Sequence, residues 1–259
     1  MPLMKTSNPA LNENTWRNVG GGGYGYGGAI DTSTRMTLGG TVNKTGILLI
    51  CALATAAWTW YRFMATGDPA SVGGLLAIGA FGGLIVALVT TFKKQWAPVT
   101  APIYALLEGL VLGGISAFIN VRYPGIAIQA VALTFGTLLA LLFLYSTRII
   151  RVTQKFALGI VAATGGVMLF YLLQMVLGFF HVPFLSSVNG SGTIGIVFSV
   201  IVVAVAALNL VLDFDFIERG VNYGAPKYME WYGGFAIMVT LVWLYLEILR
   251  LLAKMRSRD

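Results

Sequence analysis

The sequence predicts an all-α integral membrane protein built as a bundle of seven transmembrane helices. Its 259 residues are 57% hydrophobic and only 10% charged, and the mean hydropathy is +0.80, whereas about a quarter of the residues in a soluble domain are charged. Seven stretches are apolar over about 20 residues, the length that crosses a hydrocarbon core about 30 Å thick. These two observations exclude a soluble globular fold.

The predicted spans follow an N-terminal tail. We expect residues 1–40 to form a flexible tail, because the run Gly20–Gly28 buries little surface and would lose much backbone entropy on folding. Residues 41–259 then form the membrane domain. Turn-forming residues between His181 and Gly190 divide the longest uncharged run into two spans. The predicted spans are Thr45–Met64, Ala70–Phe92, Gln95–Val121, Tyr123–Thr147, the two halves of Phe156–Leu212, and Trp231–Leu249.

Cofactor chemistry is not expected from this composition. The single cysteine, Cys51, excludes a disulfide framework, and the single histidine, His181, excludes a zinc site built on paired histidines. The run Gly20–Gly28 contains spacings like those of a phosphate-binding loop. However, no hydrophobic strand precedes it and no helix follows at the required distance. We therefore predict no cofactor.

The basic residues indicate membrane topology rather than nucleic-acid binding, although the net charge is +7. Between spans, seven Lys or Arg residues fall on the side of the N-terminal tail and two on the other side, which places the N-terminus in the cytoplasm. Four more basic residues lie at the C-terminus, where full crossing would place them outside. Either the seventh span crosses despite this charge, or it does not cross completely. The seven are Lys93, Lys94, Arg148, Arg151, Lys155, Arg219 and Lys227, the two are Arg62 and Arg122, and the C-terminal four are Arg250, Lys254, Arg256 and Arg258.

Glu108 is an acidic residue at the midpoint of the third predicted span. An ionised carboxylate there costs about 3 kcal/mol on insertion scales. Glu108 should therefore face the bundle interior, be protonated, or have a partner. It is either a hydrogen-bonded structural residue or part of an ion pathway.

Asp213 and Asp215 end the sixth predicted span. Asp213 follows Asn209 by four residues, so the two share a helical face, while Asp215 lies about 200° away. Asp215 has Arg219 four residues downstream, in the favourable acid-before-base order, and should form an ion pair on the helix surface. Asp213 is therefore the better candidate for the interior, unless it only marks the end of the helix among solvated charges.

Glu247 lies near the end of the seventh span, with Arg250 three residues further on. It is a candidate for the interior, although an ordinary intrahelical ion pair with Arg250 is the alternative. Small residues also predict close helix contacts. These are Gly109 with Gly113, and the cluster Gly73, Gly74, Gly79, Gly82 and Gly83.

Three passages resemble the Bax inhibitor-1 family, also called the transmembrane Bax inhibitor motif family. Leu107-Glu108-Gly109 is similar to its Leu-Glu-Gly segment, the ending Asp213-Phe214-Asp215-Phe216-Ile217 to its Tyr-Asp-x-x-x-Ile, and Leu244-Tyr245-Leu246-Glu247 to its Leu-Tyr-Leu-Asp. The N-terminal Ser7-Asn8-Pro9 and the sixth-to-seventh connection Arg219–Trp231 resemble the bacterial branch.

The resemblance implies six helices around the seventh, and an acidic pair from spans six and seven that forms a pH-sensitive gate for calcium leak. Asp213 matches the first position. The second is Glu247 or, if the last helix is aligned on Leu249–Leu252, Thr240. Calcium prefers hard oxygen ligands such as these carboxylates and Asn209, so Asp213 and Glu247 are the candidate Ca²⁺ ligands. The expected partners are the bilayer, calcium or other cations, and protons, in a bacterial inner membrane.

Two enzyme or pigment classes with membrane-spanning helices do not fit the sequence. An intramembrane serine protease would need a nucleophile, and Gly114–Phe118 around Ser116 offers only His181 as base, at a span boundary. A retinal protein needs a lysine inside the last span, and none lies between Tyr228 and Ala253. We therefore predict no enzyme. The stronger alternative is a non-transporting regulator or adaptor that binds another membrane protein in a stress response or in protein quality control.

The charge distribution yields a topology prediction. In a Cys51→Ser background, a cysteine at position 94 should not react with an impermeant thiol reagent added to intact cells, because the Lys93–Lys94 loop is expected in the cytoplasm. A cysteine placed at Asp68, in the first connection, should react. Labelling at position 94 in intact cells would show that the orientation is opposite to the predicted one.

Overall fold

The computed structural model describes residues 34–179, 188 and 190–258. Its long helices are, in chain order, α1 (Leu38–Thr66), α2 (Ala70–Phe92), α3 (Ala97–Arg122), α4 (Ile126–Ser146), α5 (Gln154–Phe179), α6 (Thr193–Asn222) and α7 (Met229–Arg256), with a short 3₁₀ helix, Lys94–Trp96, before α3. The predicted tail (residues 1–33 of 1–40), the run Gly20–Gly28 and His181 lie outside the described residues.

All seven long helices are long and apolar enough to cross a membrane, which confirms the predicted fold class. Within the described ranges there is no strand, and β structure is limited to one isolated bridge between Arg35 and Pro226. Burial differs widely among the helices. In the most apolar window, 56% of the residues of α7 are buried, against 6% in α5. Protein therefore covers more than half of this window of α7, whereas most of α5 is left exposed.

Helix α1 begins at Leu38, earlier than the predicted start of the membrane domain at residue 41. The Thr37 hydroxyl accepts a hydrogen bond from the N–H of Gly40 at 3.0 Å and caps the helix. At the other end Gly67 adopts φ +64° and donates its N–H to the carbonyl of Phe63, as a left-handed glycine cap does. Capping extends the helix into a polar stretch that hydropathy alone excludes.

The contacts divide the chain into two compact units, and the first comprises the described residues of Met1–Phe118 with Asp213–Val239. Within it, α1 packs against α3. Side chains added at Gly109 or Gly113 would overlap the carbonyl oxygens of Ala52 and Ala56, respectively. The close approach lets the Thr55 hydroxyl donate a hydrogen bond to the carbonyl of Leu106 at 2.9 Å. The predicted small-residue contact at Gly109 and Gly113 is thus confirmed.

The glycine cluster of α2 is only partly a helix contact. A Cβ at Gly79 would lie 2.6 Å from the carbonyl oxygen of Leu107, and one at Gly83 would lie 3.1 Å from Oε1 of Glu108, so these glycines face α3. Around Gly73 and Gly74 there is nothing within 4 Å. The prediction was wrong for these two, which lie in the first turns of α2.

The second unit comprises Ile119–Leu212 and Thr240–Asp259. In it, Asn209 of α6 donates a hydrogen bond to the Thr164 hydroxyl of α5 at 2.8 Å. The Phe170 and Phe198 rings of the same two helices lie 4.6 Å apart between centroids. Polar and aromatic contacts therefore hold α5 despite its large lipid-facing surface.

The second unit also bears on whether α7 crosses completely. Arg256 donates hydrogen bonds to the carbonyl of Pro124 (3.4 Å) and to Gln129 (3.3 Å), at the α3–α4 connection. Lys254 donates to the carbonyl of Val188, ahead of α6, at 2.8 Å. If all seven helices cross the membrane completely, the end of α7 lies on the same side of the membrane as these two connections. The contacts favour full crossing over a partial one, despite the basic C-terminus.

The α1–α3 contact predicts opposite effects at two glycines. Gly113→Ala should lower the free energy of unfolding by about 1–3 kcal/mol, because the new methyl group meets the backbone of Ala56. Gly74→Ala, at a helical position with open space, should be neutral or stabilising by up to about 1 kcal/mol. Melting temperatures in detergent measure both variants, and similar melting temperatures would contradict the close contact.

Candidate functional site

Three acidic side chains are buried within the part of the chain that the structure describes. Asp213 is 5% exposed, Glu247 is 2% exposed and Glu230 is 1% exposed, and all three lie in membrane-spanning helices. Burying a carboxylate away from water is unfavourable unless the carboxylate forms hydrogen bonds or lies beside an opposite charge. The groups around each carboxylate therefore indicate what it can do.

Asp213 lies in the first unit, close to the phenol of Tyr232 on α7. The two are near enough to interact electrostatically, and Tyr232 is fully buried. The ammonium of Lys94 lies 5.6 Å from the centroid of the Tyr232 ring, within cation–π range. Tyr232 thus interacts with an acid of α6 and with an ammonium group that precedes α3.

Asp215, two residues further along α6, is more exposed than Asp213. Its carboxylate forms an ion pair with Arg219, and the two side chains are 20% and 35% exposed, respectively. The Arg219 Nε also donates a hydrogen bond to the Asp215 carbonyl at 3.4 Å. The i,i+4 ion pair expected from the sequence is therefore present, with both side chains partly buried.

Glu108 is half-buried in the middle of α3. It is hydrogen-bonded to the phenol of Tyr104, one turn earlier on the same helix, and Gly83 of α2 leaves room for its carboxyl group. The Tyr104 ring contacts that of Phe235 edge-on, with centroids 5.0 Å apart. Glu108 therefore has a hydrogen-bonding partner inside the bundle rather than a lipid-facing position.

Glu247 lies in the second unit in a cluster with Tyr171 and Arg250. The Arg250 Nη1 lies 3.0 Å from each carboxylate oxygen, and the Tyr171 phenol donates a hydrogen bond to Oε1 at 3.0 Å. Arg250 also donates to the Tyr171 oxygen at 2.6 Å. The intrahelical ion pair, which the sequence left as an alternative for Glu247, is present.

The predicted gate residues are distributed over both units. Asp213 and Glu108 belong to the first, whereas Glu247, Asn209 and Thr240 belong to the second. Asn209 uses its amide for hydrogen bonds to Thr164 and to the carbonyl of Val205, each at 2.8 Å. Thr240, the alternative to Glu247, is also buried, at 8% exposed. Both alternatives for the second gate position therefore remain.

Glu230 is a buried acid that the sequence patterns do not single out. Its Oε1 accepts hydrogen bonds from the Thr37 N–H (3.0 Å) and hydroxyl (2.8 Å), and the Lys227 ammonium lies 2.8 Å away. A side chain at Gly40 would overlap this carboxylate. Glu230 thus places a negative charge at the N-terminus of α1, where the helix dipole favours it. Burial raises the pKa of the Tyr228 phenol, which precedes α7, above its usual range.

Backbone hydrogen bonds also join the residues just before α1 to the α6–α7 connection. The N–H of Met36 donates to the carbonyl of Ala225 at 2.7 Å, and the N–H of Lys227 donates to the carbonyl of Thr34 at 2.9 Å. A weak signal was available in the sequence, because Lys227 and Glu230 have i,i+3 spacing. Nothing in the sequence connected that pair with Thr37.

Within the described residues, no group of three or more His, Cys, Asp or Glu side chains could hold a metal ion. A cation near Asp213 or Glu247 would therefore also need ligands of other kinds, such as carbonyl and hydroxyl oxygens.

Seven apolar helices with buried carboxylates define an all-helical, multi-pass membrane protein. The family model described as Bax inhibitor 1 like matches residues 6–257. The chain belongs to this family, whose members are generally not enzymes. No curated protein and no solved structure matches the chain significantly.

The Glu230 contact predicts different outcomes at two adjacent glycines. Gly40→Ala should lower the free energy of unfolding by about 1.5–3 kcal/mol, because the methyl group displaces a carboxylate that accepts two hydrogen bonds from Thr37. Gly39→Ala has open space and should be neutral or slightly stabilising. Thermal unfolding in detergent compares them.

A double-mutant cycle tests whether Glu230 is the cause. Adding Glu230→Gln to Gly40→Ala should cost less than the sum of the single changes, because both disturb the same contact. Additive effects would show that the cost of Gly40→Ala does not come from the contact with Glu230.

Proposed function

We propose that the protein is a pH-sensitive leak channel for calcium or other cations, gated by carboxylates of its membrane helices. The observation that carries the proposal is the burial of Asp213 in a membrane-spanning helix, where it interacts electrostatically with Tyr232. Ionisable residues at such positions mark ion pathways more often than lipid-facing surfaces. Membership of the family supports the proposal.

The proposed mechanism follows from the electrostatics of carboxylates in a low dielectric. Two nearby carboxylates do not both ionise easily, so one keeps a proton towards neutral pH and the pair can share it. Loss of this proton leaves two like charges, which separate and open a polar route. Leak should therefore increase as pH rises through the gate.

The other gate candidates have different proposed roles. Glu247 is the second carboxylate, and its contact with Arg250 and Tyr171 would have to rearrange during opening. If Thr240 takes that place, Asp213 is the only titrating group of the gate. Glu108 and Asn209 would supply further oxygen ligands along the route. We further propose a bacterial inner membrane with a cytoplasmic N-terminus.

A regulatory role is the second candidate function. The contact of Thr34–Thr37 with the α6–α7 connection favours it, because the tail enters the membrane domain there. A protein bound to the tail would act directly on the beginning of α7. This adaptor would require no ion flux.

Flux measurements on purified protein test the channel. In liposomes that contain a fluorescent calcium indicator, the unmodified protein should leak faster as pH rises from about 5 to 8, changing up to about tenfold per pH unit below the midpoint for one proton. Asp213→Asn should abolish this dependence, because the amide does not titrate. No flux above empty liposomes at any of these pH values would exclude the channel and leave the adaptor.

Two matched variants accompany Asp213→Asn. Asp215→Asn changes the neighbouring acid but should keep the pH dependence, because the Asp215 carboxylate forms an ion pair with Arg219. Glu247→Gln tests whether Glu247 or Thr240 occupies the second gate position. Loss of pH dependence supports the carboxylate pair, whereas an unchanged profile favours Thr240 at the second position.

A further inference from the structure

We propose that three neutral oxygens around the beginning of α6 form a binding site for a primary ammonium group, which Lys254 of α7 fills as a tethered ligand. The oxygens are the carbonyls of Val188 and Gly195 and the hydroxyl of Ser199. All four residues belong to the second unit. This inference goes beyond the channel proposal and does not depend on calcium flux.

The geometry of the site matches the donors of an ammonium group. The Lys254 Nζ donates hydrogen bonds to the carbonyl of Val188 at 2.8 Å, to the Ser199 hydroxyl at 2.9 Å and to the carbonyl of Gly195 at 3.2 Å. An ammonium group has three donors, so each donor has one oxygen. Ser199 is 1% exposed, and a Cβ at Gly195 would lie 2.9 Å from the carbonyl oxygen of Val188. The oxygens are therefore held close together by tight local packing.

The oxygens of the site carry no formal charge, which indicates the class of ligand. Glu247, two turns before Lys254 on α7, contacts Arg250 through both of its carboxylate oxygens. Calcium takes six to eight oxygen ligands, and carboxylates are usually among them. Three neutral oxygens therefore suit a singly charged ammonium group better than a divalent cation.

The position of the site explains why its ligand is tethered. Gly195 and Ser199 lie in the first two turns of α6, which begins at Thr193, and the positive end of a helix dipole opposes a cation there. A free ammonium ion should therefore bind weakly. A short flexible tether gives a ligand an effective concentration in the millimolar range, so the Lys254 side chain can keep a weak site filled. The filled site joins the beginning of α6 to the end of α7 and excludes free amines.

Chemical rescue of the full-length protein tests the site. Lys254→Ala removes the atoms of a propylammonium ion and should lower the melting temperature in detergent by roughly 2–8 °C, because three oxygens lose their donors. Propylammonium chloride at about 100 mM should restore at least half of this loss. Tetramethylammonium chloride at the same concentration has the same charge but no N–H group and should restore none. The unmodified protein should respond equally to both salts.

Two further variants control for unspecific effects of the salts. Lys155→Ala removes an exposed ammonium group of the same unit, and it should respond equally to both salts. Adding Ser199→Ala to Lys254→Ala removes one oxygen of the site, so half-maximal rescue should need about fivefold more propylammonium. Equal effects of the two salts on Lys254→Ala would overturn the proposal. Rescue by potassium chloride as strong as that by propylammonium would also overturn it, because potassium has no N–H donor.

Lys254→Gln keeps the test decisive if Lys254→Ala does not fold. Glutamine offers neutral N–H donors to the same oxygens, and this variant should melt below the unmodified protein because the positive charge is missing. Equal melting temperatures would show that the oxygens require only a hydrogen-bond donor, and the ammonium site would be refuted.

Discussion

The hydrocarbon core offers no water to polar groups, so each polar group within a span must find its partner in the protein. The threonines of α1 follow this rule, since the hydroxyls of Thr41 and Thr45 donate hydrogen bonds to carbonyls one turn earlier, each at 2.9 Å. The close helix contacts depend on it too, because the glycines of α3 bring the Thr55 hydroxyl to a carbonyl of another helix. In the described part of the chain, the Oε1 of Gln174 is the one buried side-chain oxygen or nitrogen atom without a hydrogen bond.

The same constraint distinguishes the three buried acids. Glu230 and Glu247 each have a basic residue three positions away in the chain, so both charges are answered locally. The residues one turn from Asp213 on its own helix are uncharged. Groups from other elements, including Tyr232, interact with it instead. An acid whose surroundings come from separate elements can couple protonation to their movement, whereas each of the two glutamates has a basic partner within its own segment.

Sequence patterns predicted the seven spans well, because apolar length is a local property. The helix ends were less predictable. Helix α1, capped by Thr37 and Gly67, extends at both ends beyond the apolar residues from which the span was predicted. Glu230 was missed for a similar reason, since its importance comes from a contact with Thr37 across 193 positions. The glycines of α2 look alike in sequence, and only packing separates Gly79, which touches α3, from Gly74, which has open space around it.

The contact between Thr37 and Glu230 also sets an order for biosynthesis. The beginning of the first helix receives its carboxylate from the beginning of the last, so the contact cannot form until 193 further residues have been translated. At about 5–20 residues per second, this delay is roughly 10–40 s. During that interval the N-terminus of α1 lacks the negative charge that later stabilises it. The charge that stabilises this end of α1 is therefore present only in chains that extend to the beginning of α7.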